Sequence, residues 1–370
     1  MADKKKGLKR LIEFMHDRMP MDKFNFEHIV LEKEVPIHRM SWAYYLGGLT
    51  LFFFLIQVVT GIFLLFYYQP TVSDAHESIE YITKYVHNGF FIRNLHTWAS
   101  SCMIFCLVVH ALTAFAMKAF APPRELIWVG GAFMLVLGFA FGFTGYLLPW
   151  HQIAVNATKV ALQSLDESGH YLPGILSGVP HYIKEIIQGG AVVGQATLSR
   201  FFALHVVILP LLCFVVLGMH LLGVQLHGMS QGVDEPSKKS EKFFPFFILK
   251  DLIIWGVAFL GIFILAVCIP FESFYAFPFF QAYNALGATP EGIKPEWYFY
   301  FAYYPLEIFP FWVVMLGMTV MGILLFITPW VFKKTSRHVL TILALIMTAY
   351  LIAMTVFGQT ILEIVKGIKS

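Results

Sequence analysis

Charge is what this chain has least of. Asp, Glu, Lys and Arg make up 13% of its 370 residues, against about 25% in an ordinary soluble domain. That shortage excludes a water-soluble globular protein of this length. The net charge of +3 is too small to recruit nucleic acid. Cysteine is scarce too. Cys102, Cys106, Cys213 and Cys268 all fall in apolar runs, which excludes a disulfide framework. Cys102 and Cys106, one helical turn apart, read as packing residues. No short apolar run with a cleavage site follows the basic start MADKKKGLKR, so no signal peptide is expected. No repeat or low-complexity tract stands out.

Apolar residues fill the space: 58% of the chain is hydrophobic. Seven runs, at 43–67, 98–117, 126–148, 201–224, 252–270, 310–330 and 338–357, are long enough to cross about 30 Å of hydrocarbon, which takes about 20 residues. Backbone polar groups must be satisfied internally in lipid, so these spans are helices. The expected fold is an all-α polytopic membrane protein with seven transmembrane helices. The N-terminal arm and the loops on its side carry eighteen Lys and Arg, against eight on the other side. The positive-inside rule then puts the N-terminus on the cytoplasmic, negative (n) side. The first, third and fifth interhelical loops face the positive (p) side.

The second span carries His96 and His110, fourteen residues apart in RNLHTWASSCMIFCLVVHALTAF. Fourteen helical residues rise about 21 Å and bring the side chain back to within about 40° of its start. The fourth span carries His205 and His220, fifteen apart. The second and fourth spans run parallel, so His96 meets His205 near the p side and His110 meets His220 near the n side. Ionisable residues inside a membrane are rare and usually functional, and neutral imidazole is a good haem-iron ligand. Two non-covalent b-type haems, one at each level, would use all four. Gly47 and Gly61 in the first span and Gly131 and Gly145 in the third repeat the spacing of fourteen. Glycine lets another group approach the backbone closely, so each haem level would be bordered by two of them.

Taken together, these residues resemble the cytochrome b family of quinol–cytochrome c and plastoquinol–plastocyanin oxidoreductases, over nearly the whole chain. PRELIWVGGAFMLVLGFAFGFTGYLLPWHQ is similar to the family's third helix and the loop that follows. VVGQATLSRFFALH is similar to the start of its fourth helix. KPEWYFY carries its quinol-site signature, Pro295, Glu296, Trp297 and Tyr298. Four helices plus three, and the spacing of fifteen, resemble the chloroplast-type cytochrome b joined to its subunit IV, here in one polypeptide.

The chain then divides into a basic, amphipathic n-side arm (1–40), a four-helix di-haem bundle (41–227), an n-side linker (228–250) and a three-helix part with the PEWY loop (251–370). The resemblance implies a catalytic subunit that oxidises quinol at the p side. It implies transfer of electrons through two haems to an n-side quinone, with a contribution to proton translocation. The implied partners are a Rieske iron–sulfur protein, a c-type cytochrome and a second copy of the complex, in a membrane that is expected to be the bacterial inner membrane. A di-haem anchor of a quinone-linked dehydrogenase is the alternative; it would need neither PEWY nor a three-helix second half.

Glu296, among aromatic residues, suits proton acceptance from quinol, with Tyr146 as a p-side neighbour. Arg93, one turn before His96, is placed to pair a haem propionate. Gln57 resembles a p-haem pocket residue of the family. His227, just past the fourth span, resembles a histidine of the n-side quinone site. His170 and His181 read as surface residues, and His151 stands where the family has Asp in PWDQ. In the chloroplast-type branch a cysteine in YCLGG holds an extra haem covalently. Tyr45 stands at that place in YYLGGLT, and Thr97, Thr113 and Gln225 stand where the family has arginines. No covalently attached haem is therefore expected.

Overall fold

The computed structural model describes residues 2–21, 32–231, 239–274, 281–287 and 293–367. Among them, seven helices are long and apolar enough to cross a membrane: Ser41–Leu65, Gly89–Ala116, Glu125–Leu147, Gln195–His227, Phe243–Cys268, Phe311–Val331 and Arg337–Lys366. The protein is an all-α integral membrane protein. Its described elements, in chain order, begin with α1 (Ala2–Arg18), the short strand β1 (Glu34–Pro36), α2 (Tyr44–Leu65), α3 (Ala75–Lys84) and α4 (Gly89–Ala116). Then come α5 (Glu125–Leu147), α6 (Gln152–Ser168), α7 (Val179–Gln188), α8 (Gln195–Ala203), α9 (Leu209–His227) and β2 (Ser240–Lys242). The chain closes with α10 (Ile248–Cys268), α11 (Tyr300–Ile308), α12 (Phe311–Val331) and α13 (Arg337–Lys366).

Helix α4 starts nine residues before the apolar run that announces it. Arg93, Asn94 and His96 interrupt the hydropathy but not the helix, because each polar group finds a partner. The Asn94 amide donates to the carbonyls of Ala266 (2.7 Å) and Ile269 (2.9 Å), and its oxygen accepts from Phe271 N at 2.9 Å. Trp98 Nε1 adds a bond to Ile269 O at 3.0 Å. These bonds satisfy carbonyls that α10 leaves open at its C-terminus and tie the four-helix part to the three-helix part.

The fourth span is not one regular helix. A π-helical turn, Leu204–Ile208, joins α8 to α9. Pro210 has no N–H to offer the carbonyl of Val206 and crowds it, and the turn before it widens. A π turn accommodates one extra residue. That is how His205 and His220 share a face despite their spacing of fifteen.

Helix α2 packs on α4, α5 packs on α9, and α10 packs against α4 and α2. At the core sit Phe53, Phe54, Ala99, Met103, Ile104, Leu137, Leu209 and Ile262. On the side that carries the N-terminal arm, called the n side from here on, β1 and β2 form an antiparallel ribbon with Glu34 opposite Lys242. Arg18 at the end of α1 is held by buried Glu125, Nη2 to Oε1 at 2.8 Å. On the p side, α6 and α7 cover the loop after α5. His181 is exposed there and bonds Asp166 at 2.8 Å, and Lys184 bonds the same carboxylate. His170 is exposed as well.

Candidate redox site

The four span histidines and the four glycines meet one to one. A β-carbon on Gly47 would lie 3.2 Å from Cε1 of His110, and one on Gly61 would lie 3.6 Å from Cε1 of His96. On the other side, a β-carbon on Gly131 would lie 3.3 Å from Cε1 of His220, and one on Gly145 would lie 2.6 Å from Cε1 of His205. Helices α2 and α4 run antiparallel, as do α5 and α9. The fourteen-residue repeat of glycine therefore matches the histidine repeat level by level. His205 lies close enough to His96 for their charges to interact, and so does His220 to His110.

The second nitrogen of each ring decides its chemistry. Thr60 donates to Ile56 O at 2.6 Å, so its oxygen accepts from His96 Nδ1 at 2.8 Å. Thr144 does the same for His205, donating to Ala140 O at 2.7 Å and accepting from Nδ1 at 3.1 Å. His220 Nδ1 donates to Ile127 O at 2.8 Å. A ring that gives its Nδ1 proton to protein keeps a lone pair on Nε2, the arrangement of a metal-bound histidine. His110 Nδ1 is buried with no hydrogen-bond partner among the described residues.

His110 and His220 line one cavity of about 450 Å³, which also reaches Gly47, Gly131, Phe54 and Leu217. Among the described residues no group of three or more His, Cys, Asp or Glu could hold a bare metal ion. Paired imidazoles facing each other across glycine-lined space fit a flat macrocycle that brings its own iron.

Gln57 donates to the His96 carbonyl at 2.7 Å. Arg93 is buried one turn before His96, with Nη1 3.5 Å from Thr83 Oγ1. Thr97, whose hydroxyl donates to Arg93 O at 3.1 Å, belongs to this p-side level. It is a neighbour of His96 and not of Tyr45. Thr113 spends its hydroxyl on the carbonyls of Val109 and His110, and Gln225 lines the n-side cavity. Tyr45 stacks on Phe247, rings 4.9 Å apart and 10° from parallel. His227 is not among the cavity-lining residues; its Nε2 meets Arg18 O at 2.9 Å.

Sequence reasoning missed three charged residues that line this cavity: Lys33, Arg124 and Asp251. Asp251 was visible as an acid in an apolar helix. Lys33 gives no such signal, since it lies in the polar arm.

At the p-side end the PEWY loop lies on α5. Phe299 N bonds Glu296 O at 2.9 Å, the start of a short helical turn that runs on into α11. Tyr298 is buried, its ring so close to α5 that a β-carbon on Gly142 would lie 2.7 Å from its oxygen. Trp297 Nε1 reaches Ser101 Oγ at 3.4 Å. Half-buried Glu296 lies close enough to Tyr146 and Tyr298 to act on both electrostatically. Burial, with the Glu296 charge behind it, raises the Tyr298 phenol well above its usual range. Burial, Tyr304 and Glu296 push Tyr300 up to about 12. These phenols keep their protons at neutral pH.

His151 caps α6, its Nδ1 accepting from Ala154 N at 3.1 Å, and packs edge-on against Tyr146 at 5.8 Å. Burial, then His76 and Arg93, pull it down to about 3. It is therefore neutral. Gln152 beside it pins the loop before α11, through Gln281 O at 3.0 Å and Asn284 N at 2.8 Å.

Comparison with known proteins identifies the family. The family described as Cytochrome b/b6/petB matches residues 30–228, and Cytochrome b(C-terminal)/b6/petD matches 284–367. The chain belongs to the cytochrome b family. It is a haem-binding membrane protein of electron transport. It is 40% identical over 335 residues to the cytochrome bc complex cytochrome b subunit of Chlorobaculum thiosulfatiphilum, covering 87% of this chain and 75% of that one. It is 41% identical over 201 residues to cytochrome b6 of Chlamydomonas reinhardtii, 54% of this chain and 89% of that one. Among solved structures, a hyperthermophilic respiratory Complex III superposes with a TM-score of 0.73 at 25% identity, over 96% of this chain and 100% of the other. The first family match ends with the four-helix part.

Proposed function

We propose that the chain is the di-haem cytochrome b subunit of a bc-type quinol oxidoreductase. The observation that carries this reading is the pairing of four histidines with four glycines at two depths. Haem iron, when bound, supplies reversible one-electron carriage across the low-dielectric core. His96 and His205 would hold one haem at the p side, and His110 and His220 would hold the other at the n side. Thr60, Thr144 and the Ile127 carbonyl orient three of these rings, and the glycines leave room for the macrocycles. Arg93 lies where it would offset a propionate charge.

At the p side, quinol sits against Pro295, Glu296, Trp297, Tyr298 and Tyr146. Glu296 accepts the proton that quinol must lose on oxidation. One electron leaves for a Rieske iron–sulfur protein and a c-type cytochrome, and the other crosses the membrane to a quinone at the n side. Asp251 lines that n-side cavity and is a proton-exchanging group for it. The subunit works in a dimeric complex in a bacterial inner membrane with its N-terminus in the cytoplasm. Purification of the complex with a haem count per chain tests this reading. Two b-type haems per chain are expected, and one or none would overturn it.

A further inference from the structure

Among the described residues two cationic side chains line the n-side cavity, and only one of them can give up a proton. The Arg124 guanidinium is spent on the carbonyls of His227, Gly228 and Met229, at 2.9, 2.8 and 3.3 Å. It keeps its charge at any physiological pH. Lys33 is different. It is 7% exposed, its ammonium donates to the Gln225 amide oxygen of α9, and it lies 4.8 Å over the Phe243 ring. A neutral amide and an aromatic face hold it without neutralising it.

The backbone fixes its position. Phe243 N donates to Lys33 O at 2.8 Å, at the end of the β1–β2 ribbon. The ribbon's own acids are engaged elsewhere: Glu34 accepts from Ser240, and Glu241 pairs with Lys250. From the other elements around the cavity, Tyr44 donates to Ser230 O at 2.5 Å, and Asp251 faces Gly48 with Oδ1 buried and without a hydrogen-bond partner among the described residues. A buried amine and a half-buried carboxyl group thus share one cavity with His110 and His220.

We propose that Lys33 delivers a proton to a quinone reduced in this cavity, an inference that rests on the n-side quinone reduction proposed above. Reduction of a quinone to quinol takes two electrons, which a haem held by His110 and His220 would supply, and two protons, which the protein must deliver. At the oxygen nearest Lys33 an ammonium N–H bond breaks and an O–H bond forms. At the other oxygen the second O–H bond forms with a proton that the Asp251 carboxyl group relays from n-side water. The amine left behind regains its proton from n-side water. Burial, and secondarily the Arg124 charge, pull Lys33 down to about 8, so ammonium and amine interconvert readily near neutral pH. Arg124 cannot take this part, and His227 does not line the cavity.

The test uses the purified complex, pre-reduced and mixed with a short-chain benzoquinone, with n-side haem reoxidation followed optically. The wild-type rate should fall as pH rises through about 8, because the ammonium is the donor. Lys33→Gln should slow reoxidation at least about tenfold and remove that pH step. Lys33→Arg should bind the probe within about threefold of wild type, yet reoxidise about tenfold more slowly, since a guanidinium does not release its proton. Retained haem spectra establish that each variant is folded, and if Lys33→Gln does not assemble, Lys33→Arg decides alone. Lys33→Arg at the wild-type rate, with the pH step intact, would overturn the inference while leaving n-side reduction standing. A wild-type complex that the probe cannot reoxidise would remove the n-side reading itself, and this inference with it.

Discussion

Gly145 and His205 are in such close contact that any side chain at position 145 displaces the imidazole: a β-carbon there would stand 2.6 Å from Cε1. The matching distance from Gly61 to His96 is 3.6 Å, ordinary van der Waals contact. Gly145→Ala should therefore weaken or abolish the p-side haem signal, at an overpacking cost of about 1–3 kcal/mol. Gly61→Ala should disturb it less. Reduced-minus-oxidised spectra of the two variants check this, and an equal effect would show that the cradle is not graded in this way.

Each histidine pair should answer for one haem. His96→Ala or His205→Ala should lose the p-side haem, and His110→Ala or His220→Ala the n-side haem. Acidified acetone should extract all haem from the wild-type chain, because Tyr45 has no thiol and its ring is stacked on Phe247. Intact-chain mass spectrometry is the check. A chain heavier by one haem would contradict the expectation of no covalent link.

Replacing the base of the p-side pocket should slow chemistry without emptying the haem sites. Glu296→Gln should reduce the rate of quinol oxidation by about 10²-fold, the lower range for general base catalysis. The assay follows haem reduction by quinol with the n-side site blocked. An unchanged rate at every pH would remove Glu296 as the proton acceptor.

His151 makes the p-side loops acid-sensitive. Its pKa is lowered in the fold to about 3, while an unfolded histidine titrates near 6.5. The stability contributed by the neutral ring is then fully present above about pH 6.5 and is lost as pH falls. At pH 5 the loss is on the order of 2 kcal/mol. Protection factors for hydrogen exchange in peptides covering 150–156 and 281–284, taken relative to the intrinsic amide rate at each pH, should fall between pH 7 and pH 5, and His151→Gln should flatten that dependence.

Asn94 carries the join between the two halves. Asn94→Leu should cost about 1–3 kcal/mol for each buried partner left unsatisfied, seen as a lower Tm of the detergent-solubilised protein. Haem spectra should change little, since the amide faces α10 and not His96.

The seven spans, the two histidine levels and the glycine repeat were legible in the sequence, because hydrocarbon thickness and helical pitch turn residue spacing into depth. PEWY was legible as a motif, and its aromatic neighbours suggested burial. Other features depended on contacts between distant segments. Hydropathy placed the start of α4 too late, since it cannot register that Asn94 is satisfied by carbonyls some 170 positions further along. The spacing of fifteen was legible, but its reconciliation with a shared face needed the π turn before Pro210. His227 lies just past the fourth span, where a resemblance suggested an n-side quinone-site residue, yet the last turn of α9 presents it to Arg18. Lys33 belongs by sequence to a polar arm and by structure to the n-side cavity, because the β1–β2 ribbon ties that arm to the start of the fifth span. Helical period and membrane thickness are local rules that the sequence states by itself. Which polar side chain fills which cavity is set by packing between segments far apart in the chain, and only the tertiary structure decides it.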